Sequence, residues 1–215
     1  MSPEIFLQQW QQQPLPLVAI LRGITPEEAE PVAEILLDCG FRFLEVPLNS
    51  PTPYDSIRVI RKTVGDRGFV GAGTVLNVQQ VEEVAKAGGQ LIISPNTDAA
   101  VIGHSRYLNL ISIPAVATPS EAFCALAAGA SGLKLFPAES ITPAVTKALR
   151  VVLPQRLVCL PVGGIQPDPL QMRAYIQAGS NGFGLGGGLY QPGISLAALR
   201  QRALAYQAAW RQSVG

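Results

Sequence analysis

Eight short runs of apolar and β-branched residues recur along the chain, each followed by a segment with the spacing of a helix. The runs are LVAIL 17–21, FLEVPL 43–48, FVGAGT 69–74, LIISP 91–95, LISIP 110–114, LKLFP 133–137, LVCLPV 157–162 and GFGLG 182–186. They are continuously apolar, which is typical of parallel strands that are buried on both faces. Eight strand–helix units predict an α/β protein with a (β/α)8 TIM barrel. A doubly wound open sheet is the alternative, but it needs fewer strands and lacks its dinucleotide-binding glycine turn here.

The segments between these runs carry helix start and stop signals. In TPEEAEPVAEILLDCG 25–40, Thr25 is suited to the N-cap, Pro26 to the first turn and Gly40 to the end of the helix. Three further segments repeat this design: NVQQVEEVAKAGG 77–89, TPSEAFCALAAGA 118–130 and QPDPLQMRAYIQAG 166–179. Because no linker, low-complexity tract or charge block interrupts the pattern, residues 1–215 are expected to form a single barrel domain.

The composition limits the partners that the chain can have. Of the 215 residues 48% are hydrophobic and 14% are charged, and the formal net charge is +1. Such a balance provides no polybasic surface for a nucleic acid. The N-terminal MSPEIFLQQWQQQ predicts a short helix rather than a secretory signal, and no apolar run approaches the roughly 18 residues of a membrane span. Small molecules, or further copies of the chain that cover apolar surface, are the expected partners.

The cysteines and the single histidine argue against disulfide and metal chemistry. Cys39, Cys124 and Cys159 are odd in number and far apart, so they form neither a disulfide framework nor a CxxC pair. A reducing cytoplasm is the expected compartment. His104 has no second His or Cys near it in the sequence, and we therefore expect no metal site.

Polar residues at the ends of the predicted strands are the candidates for a functional site. In a barrel of this type the active site lies at the carboxyl ends of the strands. Five polar residues stand there: Arg22, Glu45, Thr74, Asn96 and Lys134. The fold would bring all five to one mouth.

Lys134 stands between two leucines in LKLFP, inside a predicted buried strand. An ammonium group removed from water must be paired, or its pKa must fall until it becomes a neutral amine. A neutral amine is a nucleophile. The alternatives are that Lys134 reaches the surface or forms a structural ion pair.

The other strand-end residues also allow two interpretations each. Arg22 suits a substrate carboxylate or an ion pair with a helix acid such as Glu27. Glu45 interrupts the apolar run FLEVPL, and it is either a base close to neutral pH or the partner of one of these cations. Thr74 either caps the next helix or serves the site.

Two glycine clusters follow the last two strands, PVGGIQ 161–166 and GLGGGLY 184–190. Glycine lets backbone N–H groups approach an anion, and the loops after strands 7 and 8 of such barrels often hold phosphate. The pair of clusters therefore favours a phosphorylated ligand.

Seven motifs in order resemble one enzyme family, over about Pro16 to Tyr206. They are VAILRGITPEEA, FLEVPLNSP, GAGTVL, ISPN, LKLFPAE, VGGI and GLGGGLY. The chain is similar to the 2-dehydro-3-deoxy-phosphogluconate and 2-dehydro-3-deoxy-6-phosphogalactonate aldolases. This resemblance implies a homotrimeric (β/α)8 barrel that uses a metal-free Schiff-base mechanism and no cofactor.

The resemblance also implies a role for each site residue. Lys134 becomes the Schiff-base lysine, and Glu45 the acid and base that acts through a water molecule. The remaining positions would bind the substrate. Arg22 and Thr74 would hold the pyruvate carboxylate, and Pro95 would shape the pocket. The phosphate would lie on Gly163, Gly164, Gly186 and Gly187.

Two positions bear on the substrate. Val162 and Asn49 resemble the phosphogalactonate branch, since gluconate-type members usually have Thr in place of Val162 and an Arg in the segment that reads PLNS here. A valine methyl offers no hydrogen bond to a C4 hydroxyl, which changes the preference between C4 epimers. Gly187 stands where galactonate-type members usually have Ser, so one phosphate contact is missing. The expected activity is cleavage of 2-dehydro-3-deoxy-6-phosphogalactonate to pyruvate and D-glyceraldehyde 3-phosphate.

Three alternatives to this activity stay open at the level of sequence. The first is an aldolase that acts on the gluconate epimer or on both epimers. The second is a phosphate-binding barrel that isomerises or epimerises its substrate without a covalent intermediate, so that Lys134 acts only through its charge. The third is a non-catalytic trimer that binds a metabolite.

Overall fold

Eight parallel strands form the barrel in the computed structural model, which describes residues 1–215. The strands are β1 Leu17–Ile20, β2 Phe43–Pro47, β3 Phe69–Gly73, β4 Leu91–Ser94, β5 Ile111–Val116, β6 Gly132–Leu135, β7 Val158–Pro161 and β8 Phe183–Leu185. The helices are α1 Pro3–Gln11, α2 Pro26–Asp38, α3 Pro53–Val64, α4 Val78–Lys86, α5 Ala99–Tyr107, α6 Pro119–Ala127, α7 Pro143–Val152, α8 Pro169–Gln177 and α9 Leu196–Val214, with a 3-10 turn at Gly65–Arg67. The predicted (β/α)8 architecture and the N-terminal helix are confirmed.

The strands follow one another around the barrel in sequence order. β1 pairs with both β2 and β8, and each later strand pairs with the next as far as β7. A parallel bridge between Val162 and Gly184 joins β7 to β8 and completes the ring. None of the helices has the length and apolar character needed to cross a membrane.

The helices begin and end where local chemistry favours it. Thr25 and Glu28 form a reciprocal capping box at the start of α2, which satisfies backbone N–H groups that have no partner within the helix. Beyond the end of the same helix Gly40 has φ +93°, a left-handed conformation that suits glycine. These signals set the chain direction at each turn back to the sheet.

Helix α1 closes the amino-terminal end of the barrel. Phe6 and Trp10 are buried against Phe43, and the Trp10 ring centroid lies 4.7 Å from that of Phe43. The Trp10 indole N–H donates a hydrogen bond of 2.9 Å to the carbonyl of Asn181. With this end filled by aromatic side chains, the barrel interior is accessible from the carboxyl ends of the strands.

Candidate active site

Glu45 and Lys134 project into the barrel from opposite walls. Glu45 on β2 pairs in register with Ile20 of β1 and Gly71 of β3, whereas Lys134 lies on β6. Four strand positions separate β2 from β6 in a ring of eight, so the two side chains face each other across the interior. Both line one small cavity, whose other walls are Val18, Ile20, Ile93, Ile113, Leu160, Val162 and Gly184.

The carboxylate of Glu45 is buried without a partner in the protein. The residue is 2% exposed, and its Oε2 accepts no hydrogen bond. No lysine or arginine nitrogen lies within 4.0 Å of it, so the structural ion pair considered from the sequence is not present. Burial raises the pKa of Glu45 to about 7, although Lys134 and Arg22 act to lower it. A carboxyl group with this pKa exchanges protons readily at neutral pH.

A glycine of β3 makes room for this carboxylate. A Cβ atom on Gly73 would lie 1.9 Å from Glu45 Oε2. Any side chain at that position would therefore displace the carboxylate from the cavity.

Lys134 is buried in the same way. It is 8% exposed, and its Nζ lies 4.5 Å from the centroid of the Phe136 ring. Burial lowers the pKa of its ammonium group and Arg22 lowers it further, while Glu45 acts to raise it. Lys134 does not reach the surface and forms no ion pair. With its pKa lowered, a larger fraction of its amine is neutral than in an exposed lysine.

A cleft of about 220 Å³ opens above this cavity at the carboxyl ends of the strands. Nine of the predicted site residues line it: Arg22, Thr74, Pro95, Lys134, Val162, Gly163, Gly164, Gly186 and Gly187. The tenth, Glu45, lies in the cavity below, which shares Lys134 and Val162 with the cleft. Asn96, also considered from the sequence, is exposed and does not line either space.

Arg22 is held at one side of the cleft by the loop after β2. Its Nη1 donates a hydrogen bond of 2.6 Å to Oδ1 of Asn49, and the N–H of Gly23 donates one of 2.9 Å to Oγ of Ser50. Arg22 makes no ion pair with Glu27. No carboxylate of the protein therefore forms an ion pair with the guanidinium beside the cleft.

Thr74 has an unusual backbone conformation at the same side. Its φ is +57°, in the left-handed region that residues other than glycine adopt at a cost of about 1 kcal/mol or more. Strained residues of this kind cluster at functional sites. The strain favours the interpretation of Thr74 as a site residue over a simple cap.

The two glycine loops form the other side of the cleft. Gly163 has φ +106° and Gly164 has φ +62°, so a left-handed turn follows β7. In the loop after β8 the N–H groups of Leu189 and Tyr190 both donate to the carbonyl of Gly186. The N–H groups of the cleft glycines donate to no acceptor within the protein; these are Gly163, Gly164, Gly186, Gly187 and Gly188. Adjacent free N–H groups are what an anion binds.

Phe136 and Gly184 are two of the cleft residues that were not among the sequence candidates. Phe136 lies over Lys134, and the signal for it is the two-residue spacing that places alternate side chains on the same face of a strand. Gly184 of β8 leaves space for the side chain of Val162, because a Cβ on Gly184 would lie 2.7 Å from Cγ2 of Val162. No sequence signal distinguishes this glycine from those of ordinary turns.

Comparison with known proteins places the chain in a family. The family model described as KDPG and KHG aldolase matches residues 10–196. A protein of Rhizobium meliloti (strain 1021), named probable 2-dehydro-3-deoxy-6-phosphogalactonate aldolase, is 47% identical over 195 residues, 91% of each chain. The 2-dehydro-3-deoxy-6-phosphogalactonate aldolase of Escherichia coli (strain K12) is 44% identical over 206 residues, which cover 96% of this chain and 99% of the relative.

Similarity to a solved structure agrees with this placement. A structure described as native KDPGal matches with a TM-score of 0.91 and 43% identity, covering 94% of this chain and 98% of that one. The fold and these matches together define a (β/α)8-barrel aldolase, a lyase of carbon–carbon bonds. The chain belongs to the KDPG and KHG aldolase family.

Proposed function

We propose that this chain is a class I aldolase that cleaves 2-dehydro-3-deoxy-6-phosphogalactonate to pyruvate and D-glyceraldehyde 3-phosphate through a Schiff base on Lys134. The observation that carries the proposal is the facing pair of buried groups, Lys134 and Glu45, neither of which is held in an ion pair. A buried amine with a lowered pKa is suited to attack a ketone. A carboxyl group with a pKa of about 7 is suited to accept and return a proton at neutral pH.

The reaction divides into four steps. The neutral amine of Lys134 adds to the C2 ketone, and loss of water gives an iminium ion. Glu45, through a water molecule, removes the proton of the C4 hydroxyl, and the C3–C4 bond breaks. The electron pair of that bond moves into the iminium to form an enamine, and the aldehyde product leaves. Protonation at C3 and hydrolysis then release pyruvate and restore the amine.

The two ends of the substrate are assigned to the two sides of the cleft. Arg22, with its charge unpaired, and Thr74 would bind the carboxylate next to the reacting carbons, and Pro95 would shape the pocket between them. The free N–H groups of the glycine loops would bind the phosphate at the far end. Neither group needs a metal or a cofactor in this assignment.

Val162 supports the galactonate epimer as substrate. It lines both the lower cavity and the cleft, so it lies between the reacting groups and the glycine loops. The C4 hydroxyl of a bound substrate would lie in this region. Its methyl groups offer no hydrogen bond, whereas a threonine hydroxyl would favour one configuration. The two relatives described above carry the phosphogalactonate name.

The proposal is tested by comparing the two C4 epimers as substrates. We expect pyruvate release from both 6-phospho acids to be measurable, with kcat/KM higher for the galactonate epimer by tenfold or more. Higher kcat/KM for the gluconate epimer would overturn the substrate assignment. Isomerisation without release of pyruvate would overturn the aldolase activity for this chain and support the non-covalent alternative.

We also propose that the chain assembles as a homotrimer in the cytoplasm. Large apolar side chains are exposed on α6, α7 and α8: Phe123, Val145, Val151, Val152 and Leu170. Burial of such a group of side chains between copies of the chain is favourable. All three cysteines are free thiols, as in a reducing compartment. Light scattering of the purified protein measures the number of chains, and a monomeric mass would contradict the trimer.

A further inference from the structure

Helix α9 lies directly behind the glycine loop that follows β8. Nη1 of Arg202, on the second turn of this helix, donates a hydrogen bond of 3.4 Å to the carbonyl of Gly187. Arg202 forms no ion pair with a carboxylate, so its positive charge is not neutralised by the protein. The two other basic side chains of the site, Arg22 and Lys134, line the cleft from the ends of β1 and β6 and are assigned to the carboxylate and the ketone.

The contact with Gly187 acts on the peptide that joins Gly187 to Gly188. In a trans peptide the C=O and N–H groups point in opposite directions, so a cation at the carbonyl oxygen lies behind the N–H of Gly188. That N–H is one of the free donors, and Gly188 lines the cleft. A charged donor on the carbonyl polarises the peptide and makes its N–H a stronger donor to an anion.

Tyr206 lies one turn further along α9 and connects the two glycine loops. It is fully buried, and its hydroxyl donates a hydrogen bond of 2.8 Å to the carbonyl of Ile165 in the loop after β7. The same hydroxyl lies against the loop after β8, because a Cβ on Gly188 would be 2.3 Å from it. One side chain therefore sets the spacing between the two loops.

A negative charge on the opposite side makes the contribution of Arg202 more important. The carboxylate of Glu139 lies against the loop after β7, where a Cβ on Gly163 would be 2.4 Å from Oε2. It would repel a phosphate dianion on that loop.

We propose that Arg202 and Tyr206 are positioning residues for a phosphate monoester: Arg202 strengthens the Gly188 donor and adds positive charge, and Tyr206 holds the two loops at the spacing that the phosphate requires. The proposal rests on the assignment of the substrate phosphate to the glycine loops. It adds two residues of α9, outside the strand ends, to the groups that determine phosphate affinity.

The test measures binding of glycerol 3-phosphate by calorimetry to the wild-type chain and to four variants. We expect Arg202→Ala to weaken binding about tenfold and Arg202→Lys, which keeps the charge, to recover at least half of that loss on a logarithmic scale. Tyr206→Phe, which keeps the buried ring, should weaken binding several-fold. Arg211→Ala removes an exposed arginine from the last turn of the same helix and should change nothing.

A second readout separates positioning from general damage. Borohydride trapping of pyruvate reports on the Lys134 end of the cleft, and its rate should be unchanged in all four variants. Equal binding of glycerol 3-phosphate by wild type and Arg202→Ala would overturn the proposal, as would parallel loss of phosphate binding and pyruvate trapping. Failure of the wild-type chain to bind the probe would overturn it too. Wild-type binding without cleavage of either sugar acid would contradict the aldolase function and leave the subsite supported.

Discussion

Glu45 and Lys134 are two ionisable side chains whose burial disfavours the charged form of each. Because burial raises the pKa of a carboxyl group, ionisation of that group destabilises the folded state relative to the unfolded state. The site is thus expected to reduce the stability of the folded chain at the pH where it works. Such a conflict between stability and activity is common at catalytic sites.

Replacement of Glu45 by Gln should reveal this conflict. The pKa of Glu45 is raised from 4.5 to about 7, so its contribution to stability is complete below pH 4.5 and is lost as the pH rises through 7. The shift corresponds to about 3 kcal/mol. Because Gln does not ionise, Glu45→Gln should be more stable than wild type at pH 8 by up to that amount, and the gain should disappear at acid pH.

Denaturant unfolding at several pH values measures this effect. Glu30→Gln, a change at an exposed position of α2, is the control and should leave stability unchanged at every pH. Equal stability of Glu45→Gln and wild type at pH 8 would contradict the buried, unpaired state of the carboxylate.

The pH dependence of cleavage should follow the same group. In the proposed mechanism Glu45 must be ionised to accept the C4 proton, so kcat/KM should rise with pH through about 7. Glu45→Gln should lower kcat by roughly a hundredfold or more and remove this rise. A rate profile that keeps its inflection near 7 in the Glu45→Gln variant would assign the base to another residue.

Gly187→Ser should improve phosphate binding. A Cβ at this position would meet only Nε2 of Gln191, at 3.9 Å, and the backbone is not left-handed, so a serine fits. Its hydroxyl would add one hydrogen bond to a charged ligand, which lowers KM about five- to tenfold with kcat unchanged. Gly163→Ser is the contrasting variant, since φ is +106° and a Cβ there would lie 2.4 Å from Oε2 of Glu139; it should raise KM. An unchanged KM in Gly187→Ser would place the phosphate elsewhere.

At the scale of the elements, most of the barrel was predictable because each strand is a continuous apolar run ended by glycine, proline or a polar residue. The boundaries shifted where a neighbouring strand decided them: β5 continues past Pro114 to Val116, where Ala115 and Val116 pair with β6. The rule that the active site of such a barrel lies at the carboxyl ends of its strands correctly predicted that Arg22, Thr74 and Lys134 share one cleft. The rule included Asn96 wrongly, because it does not specify whether a side chain after a strand turns inward or toward solvent.

The contacts of α9 were not predictable from the sequence. Tyr206 reaches a carbonyl 41 positions earlier in the chain, and Arg202 contacts a glycine 15 positions earlier. Such contacts depend on how a helix packs against two loops, and no local pattern contains that information. The role of Gly73 was not predictable either, because it consists only in leaving space for the carboxylate of Glu45 on the neighbouring strand.

Val162, directly after β7, is the position expected to decide between the C4 epimers. Val162→Thr replaces a methyl by a hydroxyl of similar volume, at a position 8% exposed in the cleft. We expect the ratio of kcat/KM for the galactonate over the gluconate epimer to fall by about tenfold, chiefly through a gain with the gluconate epimer. Val162→Ala should slow both epimers without changing their ratio. A ratio that is unchanged in Val162→Thr would exclude this position as the selector.

At the scale of the whole molecule, the two ends of the barrel have different tasks. The amino-terminal end is filled by Phe6, Trp10 and Phe43 and carries no ionisable site residue. The carboxyl end carries the basic side chains without ion-pair partners, the free N–H groups and the strained Thr74. This division is the usual one in (β/α)8 enzymes, where one face supports the fold and the other carries the chemistry.

The central claim is that Lys134 forms a covalent imine, and one measurement tests it directly. The protein is incubated with pyruvate and borohydride, and the adduct is located by intact mass and peptide mapping. We predict a single reduced pyruvyl group on Lys134, none in Lys134→Ala, and a normal yield in Lys147→Ala, which removes a lysine of α7. A folded wild-type protein that gains no adduct, or gains it on another lysine, would contradict the account.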